Sequence, residues 1–274
     1  MKVFISSDME GTAGVVDWDH VREHGPRYEY FVDLLTAEIN AAIDGAVRAG
    51  ATEFLVNDSH GKMANLRPDA LAGSASYLSG RHKPMYMMEG LDGSFDAVFF
   101  VSYHGSMGSD ASVLSHTYSP AAIAEVTING VVAGESGINA LVALAYSVPV
   151  VLVTGDATTA EETAAFCPGV QRAIVKTSVS RFAASSLHPD RARTLITEAA
   201  CLAIASLSTA RQVAIALPAT IEIRFKSSDY AELASRVGGC TRTGVLSAQL
   251  EVDDPLELYR TFISVVLLCR GLAE

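Results

Sequence analysis

Short runs of β-branched and aromatic residues alternate with longer Ala-rich amphipathic stretches along most of the chain. This is the pattern of an α/β fold with a mostly parallel sheet whose crossover helices cover both faces, a three-layer sandwich. Strands are predicted over residues 2–6, 53–57, 97–102, 148–154 and 173–176, and helices over 28–49, 137–146, 160–166 and 189–206. Local chemistry marks two boundaries. Gly50 follows the first long helix, where a left-handed residue commonly ends the run. Pro189, after Ser186, Leu187 and His188, opens the last helix, since the N–H it lacks has no intrahelical acceptor there.

Residues 123–128 and 131–133 flank Asn129-Gly130, a two-residue turn pair, and predict a hairpin standing off the main sheet. Beyond about residue 212 the pattern becomes strand 221–225, helix 230–237, strand 244–252 and helix 256–268. We therefore expect two domains: a larger α/β domain over 1–212 and a smaller appended α+β domain over 213–274. Residues 73–80, with Ser74, Ser76 and Ser79, read as loop. No internal repeat is visible.

Charge narrows the partners. With 20 Lys and Arg against 31 Asp and Glu, the formal charge is −11, and the cations are scattered. Binding nucleic acid or an anionic membrane surface needs clustered cations, so neither is expected. The longest apolar stretch, 140–153, is broken by Tyr146, Ser147 and Pro149, which excludes a membrane span, and residues 1–5 are too short for a secretory apolar region. Cys167, Cys201, Cys240 and Cys269 are far apart and form no C-x-x-C pair, as expected of reduced thiols in a cytoplasmic protein.

In open α/β sheets ligands collect beyond the carboxyl ends of the strands. There the chain places Asp8, Glu10 and Gly11; Asp58, Ser59, His60 and Gly61; His104 and Gly105; and, after the hairpin, Glu135, Ser136 and Gly137. Asp8 and Glu10 are two apart and point to one side of an extended segment, where their repulsion calls for a cation. With His60, His104 and Glu135 they form a mixed N/O donor set suited to zinc, too many ligands for one open tetrahedral ion but enough for two if a carboxylate bridges. Each residue alone has an ordinary reading as well. Asp8 suits a cap, His60 a turn, His104 a satisfied core position, and Glu135 the first turn of a helix.

Ser6-x-Asp8-x-Glu10-Gly11 resembles the S-x-D-x-E-G motif of the zinc-dependent D-aminopeptidase family. The likeness continues in order through 57–61, Tyr103-His104-Gly105, Ser115-His116-Thr117, the stretch 129–137 and Thr154-Gly155-Asp156, and reaches past His188-Pro189. It implies a binuclear zinc centre, two Zn²⁺ per subunit, with Asp8 bridging, Glu10 and His60 on one ion and His104 and Glu135 on the other. It points to His116 as the catalytic residue, to a hydrolase releasing N-terminal, D-configured amino acids from short peptides or amides, and to a homo-oligomeric ring, commonly a decamer. Ser180, before Arg181, stands where the family has glycine.

On this reading the metal pair activates water against the scissile carbonyl while His116 moves a proton or steadies the oxyanion. A nucleophilic His116 adds a step without gain. The competing readings are a dizinc hydrolase of another amide or a phosphoester, and a peptide-binding protein without turnover; nucleotide loops and a G-x-S-x-G elbow are absent. His20, His24 and His82 read as solvated surface and His188 as a helix-start residue. Lys176 and Arg181 are candidates for a peptide carboxylate or for surface pairing, and Asp156 for lining the pocket or capping a helix.

Overall fold

The computed structural model describes residues 1–73, 75–109 and 111–273. The larger sheet is built from β1 (Lys2–Ser7), β2 (Glu53–Asp58), β3 (Ala75–Leu78), β4 (Ala97–Tyr103), β7 (Val150–Asp156), β8 (Gln171–Ser180) and β9 (Ala183–Ser186). Their spatial order is β3-β2-β1-β4-β7-β8-β9, and every ladder is parallel except the β8–β9 hairpin. The central strands β4 and β7 are buried along their whole length, which is why both read as unbroken apolar runs.

Alternation along β1 feeds two cores. Val3 and Ile5 join residues of α2 (Tyr28–Arg48) and α5 (Pro189–Ala205), whereas Phe4 joins α3 (Glu135–Ala145), α4 (Ala157–Phe166) and α7 (Pro255–Ala273). The first face is tight. A Cβ at Gly45 would overlap the Thr197 carbonyl oxygen, so glycine sets how closely α2 approaches α5. The short α1 (Trp18–Val21) precedes α2, and Asp17 caps it by accepting from the Asp19 N–H.

The predicted hairpin forms as β5 (Ile123–Ile128) and β6 (Val131–Val132), with φ of 51° at Asn129 and 80° at Gly130. It belongs to a second, antiparallel sheet of order β11-β12-β10-β5-β6, whose other members are β10 (Ala219–Phe225), β11 (Cys240–Arg242) and β12 (Ser247–Val252). α6 (Ser228–Ala234) and α7 pack on that sheet, and α7 also packs on α3, so the smaller sheet shares one core with the larger.

The parallel, helix-covered architecture is the one expected. Two details differ. The stretch read as loop over 73–80 contains β3, an edge strand whose half-exposed residues carry no clear alternation of burial; Ser74 lies outside the described residues. The strand expected over 173–176 runs on as β8 and folds back as β9, because its outer half is too exposed to show an apolar pattern. Among the described residues no helix is long and apolar enough to cross a membrane. The four cysteines are free, Cys201 half-buried and the others buried.

Candidate metal centre

The segment after β1 is laced to the end of β4: the Asp8 N–H donates to Val101 O at 2.9 Å and the Gly11 N–H to Ser102 O at 2.8 Å. A Cβ at position 11 would overlap the Tyr103 carbonyl, so only glycine permits this approach. Ser6 Oγ lies 2.6 Å from Tyr103 Oη, 2.9 Å from Ser59 Oγ and 2.8 Å from Met87 O, tying β1 to its neighbours beneath the cleft. The hexapeptide thus holds two carboxylates and the two residues that seat them.

His60, on the loop after β2, presents Nδ1 at 2.9 Å from Glu10 Oε2 and 3.4 Å from Asp8 Oδ1. His104, just past β4, presents Nε2 at 3.3 Å from Asp8 Oδ2 and 3.8 Å from Glu135 Oε2. Glu135 opens α3, and the Tyr118 N–H donates to its Oε1 at 2.7 Å. Two sets of potential donors, Asp8–Glu10–His60 and Asp8–His104–Glu135, each lie within 4.8 Å and share Asp8. A third such set is Glu10–His104–His116.

Backbone carbonyls fix which nitrogen of each ring faces the cluster. His60 Nε2 lies 2.7 Å from Val21 O, His104 Nδ1 2.9 Å from Gly105 O, and His116 Nδ1 2.8 Å from Leu114 O. A carbonyl only accepts, so each of these nitrogens carries the hydrogen. His60 Nδ1, His104 Nε2 and His116 Nε2 are left directed at the carboxylates, the arrangement that presents imidazole lone pairs to a cation.

The electrostatics fit a cation as well. Asp8, Glu10 and Glu135 are buried, and Asp8 Oδ2, Glu10 Oε2 and His104 Nε2 are buried atoms without a hydrogen-bond partner among the described residues. Burial, then the adjacent Glu10, pushes Asp8 up to about 7, and burial with Asp8 holds Glu135 well above the usual range. Burial would raise Glu10 too, but neighbouring His60 outweighs it and keeps that carboxyl low. His60 in turn is raised, since Glu10 and Asp8 overcome the desolvation that would lower it. The cluster therefore takes up protons to offset its carboxylates, and a metal ion would replace that positive charge.

All six predicted site residues converge. His116 stacks on His104 with ring centroids 4.2 Å apart, its Nε2 is 3.6 Å from Glu135 Oε1, and Trp18 meets its ring edge-on at 5.5 Å. Burial, then His104, lowers the His116 pKa to about 4, so the ring is neutral at pH 7.

Of the remaining candidates, Lys176 and His20 need correction, while His24, His82, His188 and the capping role of Asp156 are as expected. Lys176 is neither a surface residue nor a carboxylate receptor: it is 2% exposed and donates to the carbonyls of Glu10, Thr12 and Val15 at 2.5, 3.0 and 2.9 Å. Arg181 donates to Ser115 O at 3.1 Å. Asp156 caps α4 through the Thr159 N–H and accepts from Ser112 and Ser178. His20 is buried, stacked on Phe31 at 4.1 Å, and its Nδ1 accepts from the Val16 N–H. His24 and His82 are exposed, and His188 caps α5.

Sequence reasoning missed several supports. Lys83 is buried and donates to Asn57 Oδ1 and Asp58 O, both at 2.6 Å, just before His60. Glu38 accepts from the Ala13 N–H and from Ser102 Oγ. A chain of side chains links Ser6, Tyr103, Asn139 and Tyr118. Such buried polar side chains carry no local pattern: Lys83 lies in the loop that follows β3, and Lys176 at a buried position within β8.

The cluster floors a cleft of about 530 Å³ whose walls include Trp18, Arg22, Arg81, Tyr86 and Arg270. The family model described as D-aminopeptidase, peptidase family M55, matches residues 1–264. A D-aminopeptidase of Bacillus subtilis (strain 168) is 36% identical over 264 residues, 96% of each chain. The solved structure of the zinc-dependent D-aminopeptidase DppA from Bacillus subtilis, described as a self-compartmentalizing protease, superposes with a TM-score of 0.93 at 35% identity and covers 98% of each chain. With ordered motifs, fold and site geometry in agreement along its whole length, the chain belongs to the D-aminopeptidase family, a family of metallopeptidases.

Proposed function

We propose that the protein is a binuclear zinc aminopeptidase that removes N-terminal amino acids, D-configured as in its relatives, from short peptides or amino acid amides. The observation carrying this reading is the pair of donor sets sharing Asp8, with their buried unpartnered atoms turned inward. Asp8, Glu10 and His60 would hold one ion, and Asp8, His104 and Glu135 the other. Residues 1–212 form the catalytic part, and 213–274 the smaller part whose α7 backs α3.

When bound, the zinc pair supplies Lewis acidity that polarises the scissile carbonyl and eases ionisation of water. The chain's own residues do the rest. His116, neutral and fixed by its Nδ1–H on Leu114 O, accepts at Nε2 the proton that the attacking water loses and passes it to the leaving amine as the C–N bond breaks. The Tyr118 N–H holds Glu135, and Trp18 confines the His116 ring. Backbone carbonyls lock the other two imidazoles, so little reorganisation is needed.

By analogy with the self-compartmentalizing relative, the subunits assemble into a closed homo-oligomer, a decameric ring in the cytoplasm. The test is elemental analysis of zinc-supplemented protein, assays on D- and L-aminoacyl amides and dipeptides, and light scattering. Two zinc per chain with D-selective amide hydrolysis supports the proposal. Zinc without hydrolysis favours a binding protein; less than one zinc per chain refutes the centre.

A further inference from the structure

The mouth of the cleft has the opposite charge character from the molecule. On a chain of net charge −11, four cationic side chains from four separate segments line this one cleft: Arg22 after α1, Lys62 after β2, Arg81 after β3, and Arg270 on α7. The carboxylate facing them at the mouth is Glu23, which Lys62 engages at 2.5 Å. Arg270 donates to Tyr86 Oη at 2.9 Å. Arg22 and Arg81 are exposed, and their guanidinium groups make no hydrogen bond or ion pair among the described residues.

Arg22 is also held at a defined distance from the chemistry. Its guanidinium lies 5.4 Å from the Trp18 ring centroid, and that ring lies 5.5 Å from His116. Those two contacts limit the separation of Arg22 from His116 to roughly 11 Å, which an extended chain covers in about three residues at ~3.3–3.6 Å each. A cleft of about 530 Å³ is likewise of small-ligand size. A ligand whose amino end lies against the buried carboxylates and whose far end reaches this mouth has the length of a di- or tripeptide.

We propose that Arg22 and Arg81 form a subsite for the C-terminal carboxylate of the substrate, so that a free C-terminal carboxylate strengthens binding over the corresponding amide. This rests on the aminopeptidase reading above. Arginine suits the task because its planar fork matches a carboxylate with two parallel hydrogen bonds. Lys176 is committed to three backbone carbonyls beneath the cleft, whereas Arg181, with one N–H on Ser115 O and its guanidinium 5.9 Å from the Trp18 ring centroid, lies beside the same tryptophan.

The test compares D-alanyl-D-alanine with D-alanyl-D-alanine amide on the zinc-loaded enzyme, for the wild type, Arg22→Gln, Arg81→Gln and the double variant. The wild type is expected to favour the free acid at least tenfold in kcat/KM, chiefly through KM. In the double variant that acid-to-amide ratio falls tenfold or more, and thermal melts show whether each variant is folded. An unchanged ratio in folded variants, or a wild type indifferent to the C-terminal charge, overturns the subsite. If the wild type cleaves neither compound, the aminopeptidase reading fails separately, and calorimetric titration of both compounds into wild type and double variant decides the subsite. Tighter binding of the acid that is lost in the variant upholds it; equal binding refutes it.

Discussion

Asp8 stands between the two donor sets, and its neighbours give its protonation a definite consequence. Its pKa of about 7 in the metal-free cluster, from burial and Glu10, means the folded chain keeps a proton that the unfolded chain releases near 4. Between those values the native state binds more protons, so metal-free stability falls as pH rises. Glu38, raised to about 6 chiefly by burial, acts in the same direction. Urea midpoints of chelator-treated protein are expected to drop from pH 5 to pH 7.5. Zinc-loaded protein should show the reverse over the same range, because zinc competes with those protons. Asp8→Asn is expected to abolish zinc binding at both positions, read by elemental analysis. His116→Ala, in contrast, is expected to keep its zinc and lose about 10²–10⁴-fold in kcat. Loss of zinc in that variant would instead make His116 a ligand, as the Glu10–His104–His116 set allows geometrically.

At the scale of elements, two buried lysines fasten the loops that carry the candidate ligands. Lys176 on β8 gathers three carbonyls of the segment after β1, and Lys83 gathers two groups at the end of β2. Lys176→Met keeps the length of the stem but leaves those carbonyls without their donor, at a cost of roughly 1–3 kcal/mol. We expect a lower melting temperature together with weaker zinc binding, because Glu10 lies on the released loop. A melting change with zinc affinity intact would show that Lys176 serves stability alone. The α2–α5 contact offers a control away from the site. Gly45→Ala forces a methyl group into the Thr197 carbonyl and should cost about 1–3 kcal/mol by denaturant titration while leaving zinc stoichiometry unchanged.

At the scale of the molecule, the site is assembled from segments spread over residues 8 to 135, each arriving at the carboxyl edge of the larger sheet or at the start of α3. A metal held there would couple to tertiary structure, since the unfolded chain cannot present these donors together. Removing zinc with a chelator should lower the melting temperature, and adding zinc at about 100 times its Kd should restore about 2.7 kcal/mol. A melting point indifferent to both treatments would argue against a tightly held metal pair.

Much of this was fixed by order and spacing in the sequence. Strands buried on both faces carry continuous apolar runs, so β1, β4 and β7 were legible, as was β2 through Phe54, Leu55 and Val56, and the polar residues that end or follow them had to fall at one edge. The hexapeptide 6–11 announced its carboxylates, and the six candidate residues do converge. Half-exposed edge strands such as β3 and β9 left no comparable trace. Tertiary structure alone decided which imidazole nitrogen faces the cluster, because that depends on carbonyls at Val21, Gly105 and Leu114 brought into place by folding. It also decided that Lys176 is buried and that Arg22 and Arg81 share a cleft. A lysine or arginine looks alike in sequence whether it meets water or a distant backbone, and only the packed chain supplies that partner.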